Sequence, residues 1–163
     1  MFCYECGEKL ALVLHEQEGL VPYCKKCNEF RYPQFAAAVT LVATNRNKDK
    51  ILLAKHVGQD DYILFAGYVK KGETVEKTVT REFKEETKLN VVKYKYTSSR
   101  YRADKNLLLF NFIVVAENGE AQIDKRELAV VKWFTFDEAL AHVRKDSDAE
   151  AFLKSAIAEL KRS

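Results

Sequence analysis

Residues Gly67–Leu89 read GYVKKGETVEKTVTREFKEETKL, a loop between glycines followed by a strongly charged segment. In that segment Val75, Val79 and Phe83 recur at helical spacing, which predicts an amphipathic helix. Thr74 has the side chain of an N-cap residue and stands directly before the apolar series. The stretch therefore predicts one helix, preceded by a loop, as the centre of the fold.

Three carboxylates of this helix fall on one face, because Glu82, Glu85 and Glu86 occupy positions i, i+3 and i+4. Three like charges so close together destabilise a helix unless a cation lies between them. Oxygen ligands of this kind suit a hard divalent ion such as Mg²⁺. The alternative is a solvated helix face rich in Glu and Lys.

The full spacing of the stretch is Gly-x5-Glu-x7-Arg-Glu-x2-Glu-Glu, and at ~7% per position its six fixed residues coincide about once in 10⁷ starting points. The pattern resembles the signature of the Nudix hydrolases, which cleave nucleoside diphosphates linked to another moiety. We expect Glu73 to pair with Arg81 and hold the loop against the helix. The family has a glycine where this chain has Lys88, so a left-handed cap there would cost about 1 to 2 kcal/mol.

The composition fits one catalytic domain with a small additional module. The 163 residues are 47% apolar, which is enough to bury a core, and the net charge of +3 gives no basic block typical of nucleic-acid binding. No segment has the length of a membrane span, and the first residues lack the features of a secretory signal. We expect a cytoplasmic protein.

All four cysteines precede residue 28, as the pairs Cys3-x2-Cys6 and Cys24-x2-Cys27. This spacing is typical of a zinc ribbon, in which four thiolates close a tetrahedral, structural Zn²⁺ site. Disulfides and a redox-active pair are the alternatives, but a reducing compartment argues against the first and the missing βαβ context against the second.

Two domains follow from this division: a zinc ribbon at residues 1–32 and a Nudix hydrolase domain at 33–163. In the second, apolar runs predict strands at 37–43, 51–54, 91–97, 107–116 and 130–134, and helices at 136–143 and 148–160. Strands mixed with separated helices predict an α+β fold with a mixed sheet between helical layers. The Nudix resemblance implies an α/β/α sandwich of that kind.

Further residues narrow the resemblance to the zinc-ribbon NADH pyrophosphatase branch. Ala66-Gly67-Tyr68 replaces the usual Gly-Gly, and the linker Tyr32-Pro33-Gln34 follows the ribbon. The match implies a metal-binding Glu127, within Lys125-Arg126-Glu127-Leu128, and a metal ligand in the backbone carbonyl of Ala66. On sequence alone Glu127 is equally a surface glutamate.

The same resemblance implies residues that contact the substrate. Tyr32 and Tyr68 match positions where an aromatic ring stacks on a bound dinucleotide, although either fits core or linker packing equally well. Gly67 and Ala149 match further substrate-binding positions, the latter most weakly.

The loop after Ser99 departs from the branch, which has Gln-Pro-Trp and further prolines where this chain has Arg100, Tyr101 and Arg102. The two arginines suit phosphates and Tyr101 suits a base, but all three are equally compatible with a solvated loop. The altered loop is therefore also compatible with another dinucleotide or a nucleotide sugar as the substrate.

The resulting prediction is a pyrophosphohydrolase that cleaves a P–O–P bond with Mg²⁺ or Mn²⁺ held by Glu82, Glu85, Glu86 and Glu127. Arg81 belongs to the same catalytic group. Substrates are NADH- or NAD-like dinucleotides; alternatives are ADP-ribose, FAD, other nucleotide sugars, and an NAD cap at the 5′ end of RNA. A nucleotide-sensing zinc-ribbon adaptor is the non-enzymatic alternative, and the resemblance implies a homodimer.

Overall fold

The computed structural model describes residues 1–123 and 126–162, so Lys125 of the Glu127 segment lies outside the described residues. The chain divides into two compact units, Met1–Phe35 and Ala36–Ser163. Among the described helices, none is long and apolar enough to span a membrane.

The smaller unit is a three-stranded antiparallel sheet in the order β1-β2-β3. Its strands are β1 (Ala11–His15), β2 (Gly19–Cys24) and β3 (Glu29–Phe30). Residue pairs run from Ala11 opposite Tyr23 to His15 opposite Gly19. These short strands were not among the sequence predictions, because a segment this small shows little hydrophobic periodicity.

The larger unit is built on a mixed sheet in the order β7-β8-β4-β5-β9, with β6 paired to β4. Among the strand pairings of the described residues, β4–β8 alone is parallel. The strands are β4 (Ala36–Thr44), β5 (Lys50–His56), β6 (Phe65–Tyr68), β7 (Val91–Arg102), β8 (Leu107–Ala116) and β9 (Leu128–Thr135). The helices are α1 (Val75–Thr87), α2 (Phe136–His142) and α3 (Asp148–Leu160).

Helices cover both faces of this sheet, because alternate strand residues enter two separate cores. On one face Val79 and Phe83 of α1 pack with Leu41 of β4. On the other face Val42 packs with Leu153 of α3. The predicted α+β fold, with a mixed sheet between helical layers, is confirmed.

The signature helix ends at the residues that the sequence indicated. The Thr74 side chain accepts a hydrogen bond from the Lys77 backbone at 3.3 Å, as an N-cap does. Lys88 takes the left-handed conformation, with φ of 62°, and its backbone N–H donates to Lys84. A lysine therefore closes the helix at the position where the family has glycine.

The segment after Ser99 differs from the predicted loop. Strand β7 continues to Arg102, and only Ala103–Lys105 form a tight 3-10 turn before β8. Cross-strand pairs extend as far as Arg102 opposite Leu107, with an irregularity between Tyr96 and Ser98. Arg100, Tyr101 and Arg102 therefore lie on a strand, where alternate side chains face opposite sides of the sheet.

Candidate active site

Arg81 is the centre of the ion-pair network on α1. Its guanidinium donates to both carboxylate oxygens of Glu73, at 2.7 and 2.8 Å, and to the backbone carbonyl of Tyr68 at 3.0 Å. The same side chain donates to Glu82 at 2.5 Å and to Glu85 at 3.1 Å. Because Arg81 and Glu73 are both mostly buried, this fork ties the loop to the helix and fixes two of the signature carboxylates.

Glycine at position 67 leaves the space that the Glu82 side chain of α1 occupies. A methyl group built there would lie 1.9 Å from Cδ of Glu82 and 2.3 Å from its Oε1. Gly67 is not in the left-handed region, so the constraint is space rather than backbone conformation. The Glu82 carboxylate thus packs directly against Gly67.

A pocket of about 250 Å³ lies beside these groups, lined by Glu82, Glu85, Glu86, Lys88, Glu127 and Leu128. Burial, together with the neighbouring Glu82, Glu127 and Glu85 carboxylates, raises the pKa of Glu86 to about 8. The backbone carbonyl of Glu127 accepts a hydrogen bond from the Val57 N–H at 3.2 Å, which ties this segment to the end of β5.

The carboxylates of this pocket fit a divalent cation by their chemistry. The four acidic groups around this cavity repel each other, and this repulsion adds to the effect of burial on the pKa of Glu86. All of them are hard oxygen donors, as Mg²⁺ and Mn²⁺ require. Over residues 1–123 and 126–162, however, no three carboxylates come within 4.8 Å of one another, since Arg81 draws Glu82 and Glu85 toward itself.

A larger cleft of about 600 Å³ lies on the opposite face of the sheet, against α3. Its floor contains one row of residues paired across four strands: Ser98 of β7, Asn111 of β8, Thr40 of β4 and Ala66 of β6. Asn111 donates from Nδ2 to the Ser98 hydroxyl at 3.1 Å. Its volume is within the range of small-molecule sites in proteins, so the cleft has room for a nucleotide.

Arg100 and Arg102 line this cleft and meet at Asp148, the first residue of α3. Arg100 pairs with Oδ1 of Asp148, and Arg102 donates to Oδ2 at 2.8 Å. Sequence reasoning missed Asp148, Ser98 and Asn111. A polar Asn111 within the apolar run of β8 was the only local signal for the cleft floor.

The other expected substrate residues are dispersed. Ala66 and Ala149 line the cleft, whereas Tyr101 is not among its lining residues. Tyr68 is exposed at the end of β6, and Tyr32 is exposed within the smaller unit. Their roles in binding stay predictions.

The four cysteines of the smaller unit form one cluster, with their sulfur atoms within 4.8 Å of one another. All four are free thiols. Sulfur separations of 3.9 Å between Cys3 and Cys27 and 3.5 Å between Cys6 and Cys24 match the ~3.8 Å edge of a tetrahedron with Zn–S bonds of ~2.3 Å. The donor set and its geometry therefore fit Zn²⁺.

A buried arginine supports this cluster. Arg31 is 6% exposed, and its Nε donates to Sγ of Cys3 at 3.2 Å while Nη1 pairs with Glu29. The hydrogen bond from Arg31 lowers the pKa of the Cys3 thiol to about 6, which favours the thiolate that binds metals. No spacing or motif in the sequence predicted this contact of Arg31.

Comparison with known proteins agrees with this geometry. The family model described as "NUDIX domain" matches residues 34–156. The "NAD-capped RNA hydrolase NudC" of Pectobacterium carotovorum is 34% identical over 139 residues, which is 84% of this chain and 52% of that protein. The protein of the same name from Photobacterium profundum is 32% identical over 98% of this chain and 59% of its own length. The chain thus spans a little over half the length of these relatives.

Solved structures share the fold. A NUDIX hydrolase from Nitrosomonas europaea superposes with a TM-score of 0.66 at 19% identity, covering 99% of this chain and 93% of that one. The NUDIX domain of Shewanella oneidensis NrtR, solved with ADP ribose, gives a TM-score of 0.66 at 17% identity, covering 85% and 94%. With the family model spanning most of the chain, these findings establish that the protein belongs to the NUDIX family.

Proposed function

We propose that this chain is a divalent-metal-dependent pyrophosphohydrolase that cleaves the P–O–P bond of NADH- or NAD-like dinucleotides. The observation that carries the proposal is the acidic pocket at the end of α1, next to Gly67 and its strand. Support also comes from the names of the relatives, which are hydrolases of an NAD-containing molecule.

Glu82, Glu86 and Glu127, with Glu85 assisting, would hold Mg²⁺ or Mn²⁺. When bound, such ions lower the pKa of water and neutralise charge on the phosphates. The protein's own part is to place the carboxylates: Gly67 leaves room for Glu82, and Arg81 orients Glu82 and Glu85. Water attacks one phosphorus atom, the bridging P–O bond breaks, and a carboxylate of the pocket accepts the water proton. The products are two mononucleotides.

Glu86 is the carboxylate of the pocket whose protonation is most strongly coupled to metal binding. Because its pKa is raised to about 8, it carries a proton at neutral pH until a cation replaces that proton. Glu86→Gln keeps the size and the neutral state of the side chain but removes the ligand. This substitution therefore separates metal-dependent turnover from folding.

The test is an assay with Mg²⁺ or Mn²⁺ on NADH, NAD⁺, ADP-ribose, FAD, diadenosine polyphosphates and nucleoside triphosphates, with products separated by chromatography. We expect cleavage of NADH or NAD⁺ by the zinc-loaded protein and a loss of at least about 100-fold in Glu86→Gln. Wild-type activity in that variant would contradict the assignment. Cleavage of none of these compounds would favour the nucleotide-sensing adaptor.

Removal of an NAD cap from RNA is the second candidate, because the two relatives described above are named for that reaction. The same bond is cleaved in both cases, so a comparison of kcat/KM on free NADH and on a short NAD-capped RNA separates them. A homodimer and a cytoplasmic location remain part of the proposal, the first to be measured by light scattering and the second by cell fractionation.

A further inference from the structure

Two arginines share one carboxylate at the far end of the cleft, but they are held differently. Arg102 donates to Asp104 through Nε at 3.0 Å and Nη2 at 2.8 Å, and to Asp148 through Nη1. Its side chain is 30% exposed. Arg100 is 56% exposed, and the contact described for its side chain is the pair with Asp148. Arg102 is thus fixed by three donors, whereas Arg100 is attached through one.

Arg100 can leave Asp148 without stranding that carboxylate. When Arg100 turns toward a ligand, Oδ2 of Asp148 keeps its hydrogen bond to Arg102. The usual penalty for an unpaired acidic group is therefore avoided. Because Arg100 already lines the cleft, the exchange requires only a change of side-chain rotamer.

Arg100 lies on a strand far from β6, where the bridge to be cleaved would bind. Across the sheet, Arg100 pairs with Leu109 of β8, which pairs with Ala38 of β4, and Ala38 in turn pairs with Tyr68 of β6. Three strand spacings of ~4.8 Å place its backbone ~14 Å from β6. Glu82, one of the proposed metal ligands, lies over Gly67 of β6. A P–O–P bridge bound there does not extend across three strands.

The charge of the cleft favours a further anion. Of the five charged residues that line it, four are cationic and one is acidic: Arg100, Arg102, Lys105, Arg144 and Asp148. Asp104 and Asp61, which lie outside the cleft, pair with Arg102 and Arg144. One positive charge remains in excess, next to a floor that offers the hydroxyl of Ser98 and the amide of Asn111.

We propose that Arg100 binds a phosphate that the substrate carries on a ribose hydroxyl, beyond the pyrophosphate bridge that is cleaved. The planar guanidinium fork matches phosphate oxygens, and Asp148 acts as its positioning residue. The chemistry is shared by a 2′-phosphate of a free dinucleotide and a 3′-phosphodiester of a capped RNA. This inference rests on the proposed pyrophosphohydrolase function.

The test measures kcat and KM for NADH, NADPH and an NAD-capped trinucleotide RNA with the zinc-loaded protein. In wild type we expect a lower KM for at least one phosphate-bearing substrate than for NADH. Arg100→Gln should raise that KM about tenfold while changing the NADH value less than about twofold. Arg100→Lys, which keeps the charge but loses the fork, should recover part of the effect. An effect confined to NADPH identifies the 2′-phosphate, and one confined to the RNA identifies the phosphodiester.

Lys95→Gln is the matched control, because Lys95 is an exposed cation on the same strand that pairs with Glu159 and does not line the cleft. It should leave all three KM values unchanged. The inference would be overturned if Arg100→Gln changed the KM of all three substrates equally or changed none of them. Either result would leave the proposed function intact. If wild type cleaves none of the three, both fall together.

Discussion

Replacing Gly67 by alanine should disable metal binding in the acidic pocket while leaving the fold intact. The new methyl group would lie 1.9 Å from Cδ of Glu82, whereas carbon atoms in contact sit at least ~3.5 Å apart, so the carboxylate must retreat by about 1.6 Å. Metal–ligand distances tolerate shifts of only about 0.2 Å. Misplacement of a reacting group by about 1 Å costs about 100-fold in rate. We therefore expect kcat/KM to fall about 100-fold or more.

The assay combines steady-state kinetics, Mn²⁺ binding by calorimetry and thermal unfolding of the metal-free protein. Since Gly67 is not in the left-handed region, the melting temperature should change little. A double-mutant cycle isolates the cause: once Glu82→Ala has removed the carboxylate, adding Gly67→Ala should cost less than about threefold in Mn²⁺ affinity. An equal loss of affinity in both backgrounds would refute the steric argument. So would near-normal activity in Gly67→Ala.

Three further substitutions test the electrostatics. Glu86 binds a proton on folding because its pKa is raised to about 8. The free energy of unfolding of the apo-protein should therefore fall by up to about 5 kcal/mol between pH 4.5 and 8, and urea unfolding of Glu86→Gln should lack that slope. The hydrogen bond from Arg81 lowers the pKa of Glu73 to about 2. Above pH 5 the free energy of unfolding of Glu73→Gln should therefore be about 1 to 2 kcal/mol lower than that of wild type, and this difference should vanish as the pH falls through 2. Arg31→Met should release zinc to a chelator about tenfold faster than wild type, whereas substitution of the exposed Lys26 by methionine, the control, should not. Equal release rates in the two variants would contradict the role assigned to Arg31.

Local signals in the sequence were enough for the helices. Periodic apolar residues and a capping threonine placed α1, and Ser147, whose hydroxyl accepts from the Glu150 backbone, marked the start of α3. The four residues of β6, by contrast, carry no periodicity of their own. They form a strand only because β4 pairs with them, a contact between distant parts of the chain.

The same reason explains the site residues that sequence reasoning missed. Asp148 lies 46 residues from Arg102, and only the packing of α3 on the sheet brings the two together. Arg31 follows the last cysteine as if in a linker, yet it is buried against Cys3. Spacing along the chain predicted the carboxylates of α1 because one helix holds them. Contacts between separate elements have no such regular spacing.

Strand β6 separates the two parts of the proposed active site, because its neighbouring residues lie on opposite faces of the sheet. Ala66 lines the cleft, whereas the next residue, Gly67, lies under the signature helix on the other face of the sheet. If the proposed function holds, mutations at Ser98, Asn111 or Arg100 should alter which molecule is accepted while the carboxylates keep their positions. Insertion of one residue into β6 would exchange the two faces and damage recognition and hydrolysis together. Substitutions in the cleft should accordingly be much better tolerated in evolution than changes in the length of this strand.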